Sequence, residues 1–177
     1  LMTAWRRVAA KRGAPGIDRQ SIAWVKDEYG VERFLLELQD ELEAGDYCPQ
    51  PVMRTYIPKG PGEFRPLGIP VLRDRVVQMA VKLVVEPLFE ADFCDCSYGF
   101  RPGRSNKEAA SLVHQLVNRR KWVVDVDMKG YFDTIPHEPL MRFVRRRVRD
   151  PRVLHLIRGW LKAGVMDNDE LSFGTTG

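Results

Sequence analysis

The sequence predicts a helix-rich α+β fold on three observations. Apolar residues recur at helical spacing in several separate stretches, two extended runs flank a Gly/Pro turn, and the order of elements never settles into the βαβα alternation of a parallel sheet. The first residues read as starting inside a helix. From Asp27 to Asp46 there are eight acids and one Arg, with Val31, Phe34, Leu35, Leu38 and Leu42 at helical spacing up to Gly45, which predicts a helix with an acidic, solvated face. Val52 to Pro58 and Phe64 to Pro70 predict a β-hairpin, because Lys59-Gly-Pro-Gly-Glu63 between them has turn composition. Asp74 reads as the N-cap of a buried helix that stays apolar almost all round to Glu86 and ends near Pro87.

Ser105 and Glu108 fit a capping box ahead of a stripe of Ala109, Leu112, Val113, Leu116 and Val117. Trp122 to Asp127 carries β-branched residues without helical period and reads as a strand. Two further helices are expected, at about Glu138 to Val148 and, behind Asp150-Pro151, from Arg152 to Ala163 with Gly164 as the stop.

Composition narrows the class. A chain of 177 residues with 44% hydrophobic, 10% aromatic and 29% charged residues excludes collagenous, mucin-like and disordered chains. No apolar run reaches the roughly 20 residues needed to span a bilayer, so no membrane role and an intracellular, cytoplasmic location of bacterial type are expected. The net charge of +4 is mild, but 20 of the 28 basic residues are Arg. The guanidinium fork grips phosphate in a bidentate way, so that excess leans towards a polyanionic partner. Cys48, Cys94 and Cys96 form no CxxC pair and have no His at ligand spacing, which argues against disulfides and zinc. His114, His137 and His155 also lack metal spacing, and His137 reads as a helix-start residue.

Three segments carry chemistry. In Trp122-Val-Val-Asp125-Val-Asp127-Met-Lys-Gly-Tyr131-Phe132-Asp133, strand alternation puts Asp125 and Asp127 on one face, and a carboxylate at a strand end before a glycine turn suits a hard cation such as Mg²⁺. Acids that simply meet solvent at a strand end are the alternative. The loop Ser97-Tyr-Gly-Phe-Arg101-Pro-Gly-Arg104-Ser105 places two guanidinium groups before a capped helix, an anion site suited to a nucleic-acid backbone, with a structural turn as the alternative. Lys59 and Arg65 fall at the same end of the hairpin, which reads either as a triphosphate clamp or as the two bases any surface hairpin carries. The stretch from Leu140 to Arg158 holds seven Arg and one acid, Asp150, and reads either as a track for nucleic-acid phosphates or as a solvated face. Trp160, in line with Leu156, Ile157 and Leu161, reads as core.

Taken in order, these segments resemble the group II intron-encoded reverse transcriptases (intron maturases). The resemblance rests on Gly13-Ala-Pro-Gly-Ile-Asp18, Tyr56-Ile-Pro-Lys59, Arg65-Pro-Leu-Gly-Ile-Pro70, Asp74-Arg-Val-Val-Gln78, Glu86-Pro-Leu-Phe-Glu90, the 97–105 loop, Asp125 to Asp133, Trp160-Leu-Lys-Ala-Gly-Val165 and Thr175-Thr-Gly177. It implies a right-hand polymerase fold, with fingers over residues 1–120 and the first part of the palm over 121–177. It implies an RNA-directed DNA polymerase that adds dNTPs to a DNA primer on an RNA template with two Mg²⁺ ions, and group II intron RNA as a further partner. Asp127 matches the first catalytic, metal-binding aspartate of the family, Lys59 and Arg65 match the residues holding the incoming triphosphate, and Phe132 matches the bulky side chain that excludes a 2′-hydroxyl. Arg101, Arg104 and Ser105 are the expected nucleic-acid contacts. The family continues past the point where this chain stops at Gly177 with two further aspartates, so the chain alone is expected to be an inactive fragment. An RNA-binding maturase module without polymerisation is the alternative from another class. An RNA-directed RNA polymerase is disfavoured by Phe132, although Asp133 stands beside it, and the retron, diversity-generating and CRISPR-associated reverse transcriptases share the palm.

Overall fold

The computed structural model describes residues 1–177. Its main interior forms where helical segments turn their apolar stripes inward. Helix α1 (Met2–Ala10) buries Ala4, Trp5, Val8 and Ala9 on one face. Ser21 caps α2 (Ile22–Trp24) by accepting from the Trp24 amide at 3.0 Å, and one π-helical turn, Val25–Tyr29, follows and buries Val25. Helix α3 (Val31–Ala44) meets its expectation. It buries Phe34, Leu35 and Leu38 and ends at Gly45, whose φ of 81° is the left-handed conformation that glycine adopts without a Cβ penalty. Trp5 and Phe34 meet with ring centroids 5.6 Å apart, joining α1 to α3.

The hairpin of β1 (Val52–Gly60) and β2 (Glu63–Ile69) is antiparallel as expected, with Met53 opposite Ile69, Ile57 opposite Arg65 and a register shift between Pro58 and Gly60. Helix α4 (Leu72–Glu90) is longer than its sequence suggested, in both directions. Asp74 is not its cap. The extended residue before the helix is Val71, and Asp74 lies buried in the first turn, where a negative charge faces the positive helix end. Pro87 does not stop the helix either, because it lies so near Glu90 that its missing N–H disturbs only the last turn. The expectation that α4 is buried almost all round fails as well: Leu72, Val76 and Val77 are buried, but Val84 and Leu88 are exposed.

Helix α5 (Asn106–Val117) has the expected capping box, with Ser105 Oγ accepting from the Glu108 amide at 3.2 Å and donating to the Glu108 carboxylate at 2.8 Å. Its apolar stripe is nevertheless uncovered, since Val113, Leu116 and Val117 are all exposed. The expected strand at Trp122 to Asp127 is absent. The segment forms no ladder with any other part of the chain, and Trp122 is 89% exposed and Val124 85%. Side-chain preference favours an extended backbone, but a strand exists only when its N–H and C=O groups find a partner.

Helix α6 (His137–Val144) ends before the expected Val148, and residues 145–147 form a turn. Helix α7 (Pro151–Lys162) follows its expectation, capped by Asp150, which accepts from the Arg152 and Val153 amides. Beyond Gly164 lie two short strands that sequence reading did not anticipate, β3 (Val165–Asp167) and β4 (Glu170–Ser172). The sheet runs β2-β1-β3-β4, with β1 and β3 parallel and the other pairs antiparallel. The core unites α1, Val25, α3, Tyr47 and α4, and Leu156 and Trp160 of α7 pack on it. Only 18 of 177 residues are buried, so the interior is small for the chain and much apolar surface stays open. No helix is long and apolar enough to cross a membrane.

Candidate nucleotide and nucleic-acid interface

The hairpin places Lys59 and Arg65 in exposed positions towards its tip. Arg65 stands opposite Ile57, and Lys59 lies two residues further along β1, within the register shift. Gly62, with φ of 75°, makes the turn that brings the two strands together. Neither cation is drawn into an ion pair, which leaves both able to meet an external anion.

Asp125 and Asp127 lie in the unpaired segment and are exposed. The chain then turns at Gly130, whose φ is 61°, and enters the 3₁₀ turn Phe132–Thr134. Thr134 Oγ1 lies within hydrogen-bond reach of the Gly130 and Tyr131 carbonyls, at 3.1 and 3.0 Å, which tightens this corner. Phe132 is 70% exposed and stacks only on its neighbour Tyr131, at 5.7 Å between ring centroids. It is therefore not a core residue of these 177 residues. The carboxylate of Asp127 has the hard oxygen chemistry that Mg²⁺ prefers, but no group of three His, Cys, Asp or Glu side chains able to hold a metal exists in the chain. The donor type fits, and the ligand set within these residues is incomplete.

The 97–105 loop is organised by Arg101. Its Nε and Nη2 donate to Glu90 Oε1 at 3.0 and 2.7 Å, and Nη1 donates to the carbonyls of Cys94 and Ser97, both at 2.8 Å. The guanidinium also lies over the Phe93 ring at 5.0 Å. With its side chain 7% exposed, Arg101 pins the loop to the end of α4 and presents little to a ligand. Arg104 is freer, in a 3.6 Å pair with the fully exposed Asp95 and above the Tyr98 ring. Ser105 spends its hydroxyl on the α5 cap. In the basic stretch, Arg147 pairs with Asp92, Arg152 with Asp150 and Arg158 with Glu138, while Arg142, Arg145 and Arg149 are exposed without a carboxylate partner. No hydrogen bond or ion pair joins the hairpin cations, the Asp127 segment and the Arg101 loop to one another.

Sequence reading missed the polar brace that positions the hairpin. Trp160 Nε1 donates to Tyr47 Oη at 3.1 Å, Tyr47 Oη donates to Asp74 Oδ1 at 2.6 Å, and the Gln50 amide donates to Asp74 Oδ2 at 2.9 Å. Burial pushes the Tyr47 hydroxyl far above its ordinary range and also raises the Asp74 carboxyl. Tyr56 Oη donates to Asp167 Oδ2 at 2.6 Å and ties β1 to β3 a second time. The indole, phenol and carboxylate of the brace come from distant parts of the sequence, so no local pattern announces it. His137 begins α6 as expected, and its Nε2 lies 3.1 Å from the Gly177 carbonyl.

Residues 57–176 match the family model described as reverse transcriptase (RNA-dependent DNA polymerase). The chain is 44% identical over 174 residues to the protein YkfC of Escherichia coli (strain K12), covering 94% of this chain and 45% of that protein. It is 38% identical over 138 residues to the group II intron-encoded protein LtrA of Lactococcus lactis subsp. cremoris, covering 77% of this chain and 23% of that one. The putative COX1/OXI3 intron 1 protein of Saccharomyces cerevisiae is 30% identical over 169 residues, with 94% and 20% covered. The chain thus spans less than half the length of each of these relatives.

Proposed function

Because the chain belongs to the reverse transcriptase (RNA-dependent DNA polymerase) family, we propose that it is the fingers, over residues 1–120, and the first part of the palm, over 121–177, of an RNA-directed DNA polymerase of the group II intron type. The observation that carries this reading is the continuous family match from residue 57 to 176, which includes the hairpin from Ile57 onward, the arginine loop and the Asp127 corner in one order. Partners on this reading are an RNA template, a DNA primer and dNTPs, with group II intron RNA as a further ligand. The exposed Lys59 and Arg65 grip the triphosphate of the incoming nucleotide, where charge-assisted hydrogen bonds orient the α-phosphate for in-line attack. Phe132, projecting from its corner, stands against the sugar and leaves no room for a 2′-hydroxyl. Arg104 meets the nucleic-acid backbone, and Arg101 serves that contact by holding the loop.

Asp127 contributes one carboxylate to the site where divalent ions, Mg²⁺ by preference, would neutralise developing phosphoryl charge, and the other ligands come from outside these residues. A second reading is an intron RNA-binding module without polymerisation, supported by the exposed Arg142, Arg145 and Arg149, which have no carboxylate partner. In the full-length protein, Asp127→Asn keeps the side chain's shape and removes its charge. Primer extension is expected to fall by several orders of magnitude while RNA affinity, read by fluorescence anisotropy, stays unchanged. Normal extension by the variant overturns the role of Asp127, and a wild-type protein that binds RNA without extending a primer establishes the second reading.

A further inference from the structure

A pocket of about 400 Å³ lies between the end of α1 and the outer face of α4, lined by Val8, Lys11, Gly13, Pro70, Arg75, Gln78, Met79 and Lys82. Arg75, Gln78, Met79 and Lys82 follow the helical spacing i, i+3, i+4, i+7, so α4 presents them on one face. Three of the lining residues are cations and none is an acid. Arg75 is the unusual member. Its Nε and Nη2 are buried without any hydrogen-bond partner, an arrangement that folded proteins seldom leave uncompensated. Desolvation lowers its pKa, and the opposing pull of Asp18 does not extend to an ion pair. Gly13 leaves room for this guanidinium, since a Cβ there would lie 2.7 Å from Arg75 Nη1. Lys11 and Lys82 are exposed at the mouth, where their long stems can reach a bound group, although Lys82 shares its ammonium with Glu86 at 3.0 Å.

We propose that this pocket binds a phosphate group of a nucleic-acid backbone, with Arg75 as the fixed donor at its base and Lys11 and Lys82 as mobile donors at its rim. The walls favour a phosphodiester over a free nucleotide. They offer Val8, Pro70 and Met79 but no aromatic ring on which a base would stack. None of the lining residues belongs to the proposed nucleotide site, so this is a separate contact on the helical side of the molecule. The identity of the ligand rests on the polymerase reading, and the existence of the anion site does not.

The test uses the 177-residue chain, a short fluorescein-labelled single-stranded RNA and anisotropy at low salt. Arg75→Gln and Lys11→Glu are each expected to weaken RNA binding roughly tenfold, the loss of one charge-assisted hydrogen bond. Lys26→Glu, a charge reversal at an exposed position outside the pocket, is expected to stay within about twofold, which separates a local contact from net charge. Lys11→Glu keeps the experiment decisive should Arg75→Gln disturb folding, which far-UV circular dichroism reports. Unchanged affinity in both pocket variants overturns the site alone and leaves Arg75 as a solvent-bridged companion of Asp18. Wild-type chain that binds no RNA at low salt overturns the nucleic-acid reading and this proposal together. Titration with dATP distinguishes the two sources of phosphate, and dATP binding that is tighter than RNA binding and lost in Arg75→Gln would overturn the backbone assignment.

Discussion

The carboxylate of Asp74 is buried, accepts from Tyr47 Oη at 2.6 Å and from the Gln50 amide at 2.9 Å, and has its pKa raised chiefly by desolvation. A raised folded value means that ionisation is harder in the folded state than in the unfolded one. The stability associated with Asp74 is therefore fully present below the ordinary aspartate value and declines as pH rises through the raised one. Asp18 shifts in the same direction for the same leading cause. Asp74→Ala strands the Tyr47 hydroxyl and the Gln50 amide, and is expected to cost about 2–4 kcal/mol in denaturant unfolding. Asp74→Asn cannot ionise, so the difference in melting temperature between wild type and this variant should move in the variant's favour across the pH window that opens at the ordinary aspartate value and extends upward through the raised one. A constant difference would show that Asp74 does not titrate in that window. An acid ahead of an apolar run signals a cap, and the sequence does carry that signal. It does not show that Tyr47 and Trp160 return from far along the chain to take the same carboxylate into the interior.

The elements divide according to where their partners lie. Helices α3, α5 and α7 were legible because their caps and periodicity are local: Gly45 at one end of α3, Ser105 with Glu108 on α5, and Asp150 ahead of Pro151 on α7. The hairpin was legible because its turn chemistry lies between its two strands. The segment from Trp122 to Met128 misled because β-branched composition reports a preference for extension and says nothing about a neighbour. Its backbone amides should exchange with deuterium within seconds at neutral pH, whereas those of α1, α3 and α4 at the core should be protected by orders of magnitude. Strong protection over 122–128 in the isolated chain would mean that the segment pairs after all. The candidate site divides in the same way. Lys59, Arg65, Asp127 and Phe132 can be named from motifs, but Arg101 turned inward because Glu90 and the Cys94 and Ser97 carbonyls take its donors. The Arg75 pocket left no local pattern, because Lys11 and Gly13 come to it from the chain that follows α1, far from α4 in sequence.

At the scale of the whole molecule, a net charge of +4 understates the asymmetry. Acids gather on α3, while Arg142, Arg145 and Arg149 leave the other end of the chain with unpaired positive charge. Three phosphate contacts, one in the Arg75 pocket and two at exposed arginines such as Arg142 and Arg145, would release about two counterions from single-stranded RNA. The logarithm of the RNA association constant should therefore fall with the logarithm of salt concentration with a slope of about −2 or steeper. A slope near zero would rule out phosphate contacts as the source of affinity.

The parallel pairing of β1 with β3 has a consequence for the order in which the molecule is made. The bonds that accompany it, Tyr56 to Asp167 and Trp160 to Tyr47, close loops of 111 and 113 residues. Closing a loop of that length costs roughly 4 kcal/mol of chain entropy, so these contacts must follow the nearer ones among α1, α3 and α4. On a ribosome adding roughly 5–20 residues per second, the hairpin waits several seconds after α4 emerges before β3 exists. During that interval the backbone donors and acceptors along the outer edge of β1 are open to any strand that arrives, including the β1 of a neighbouring nascent chain.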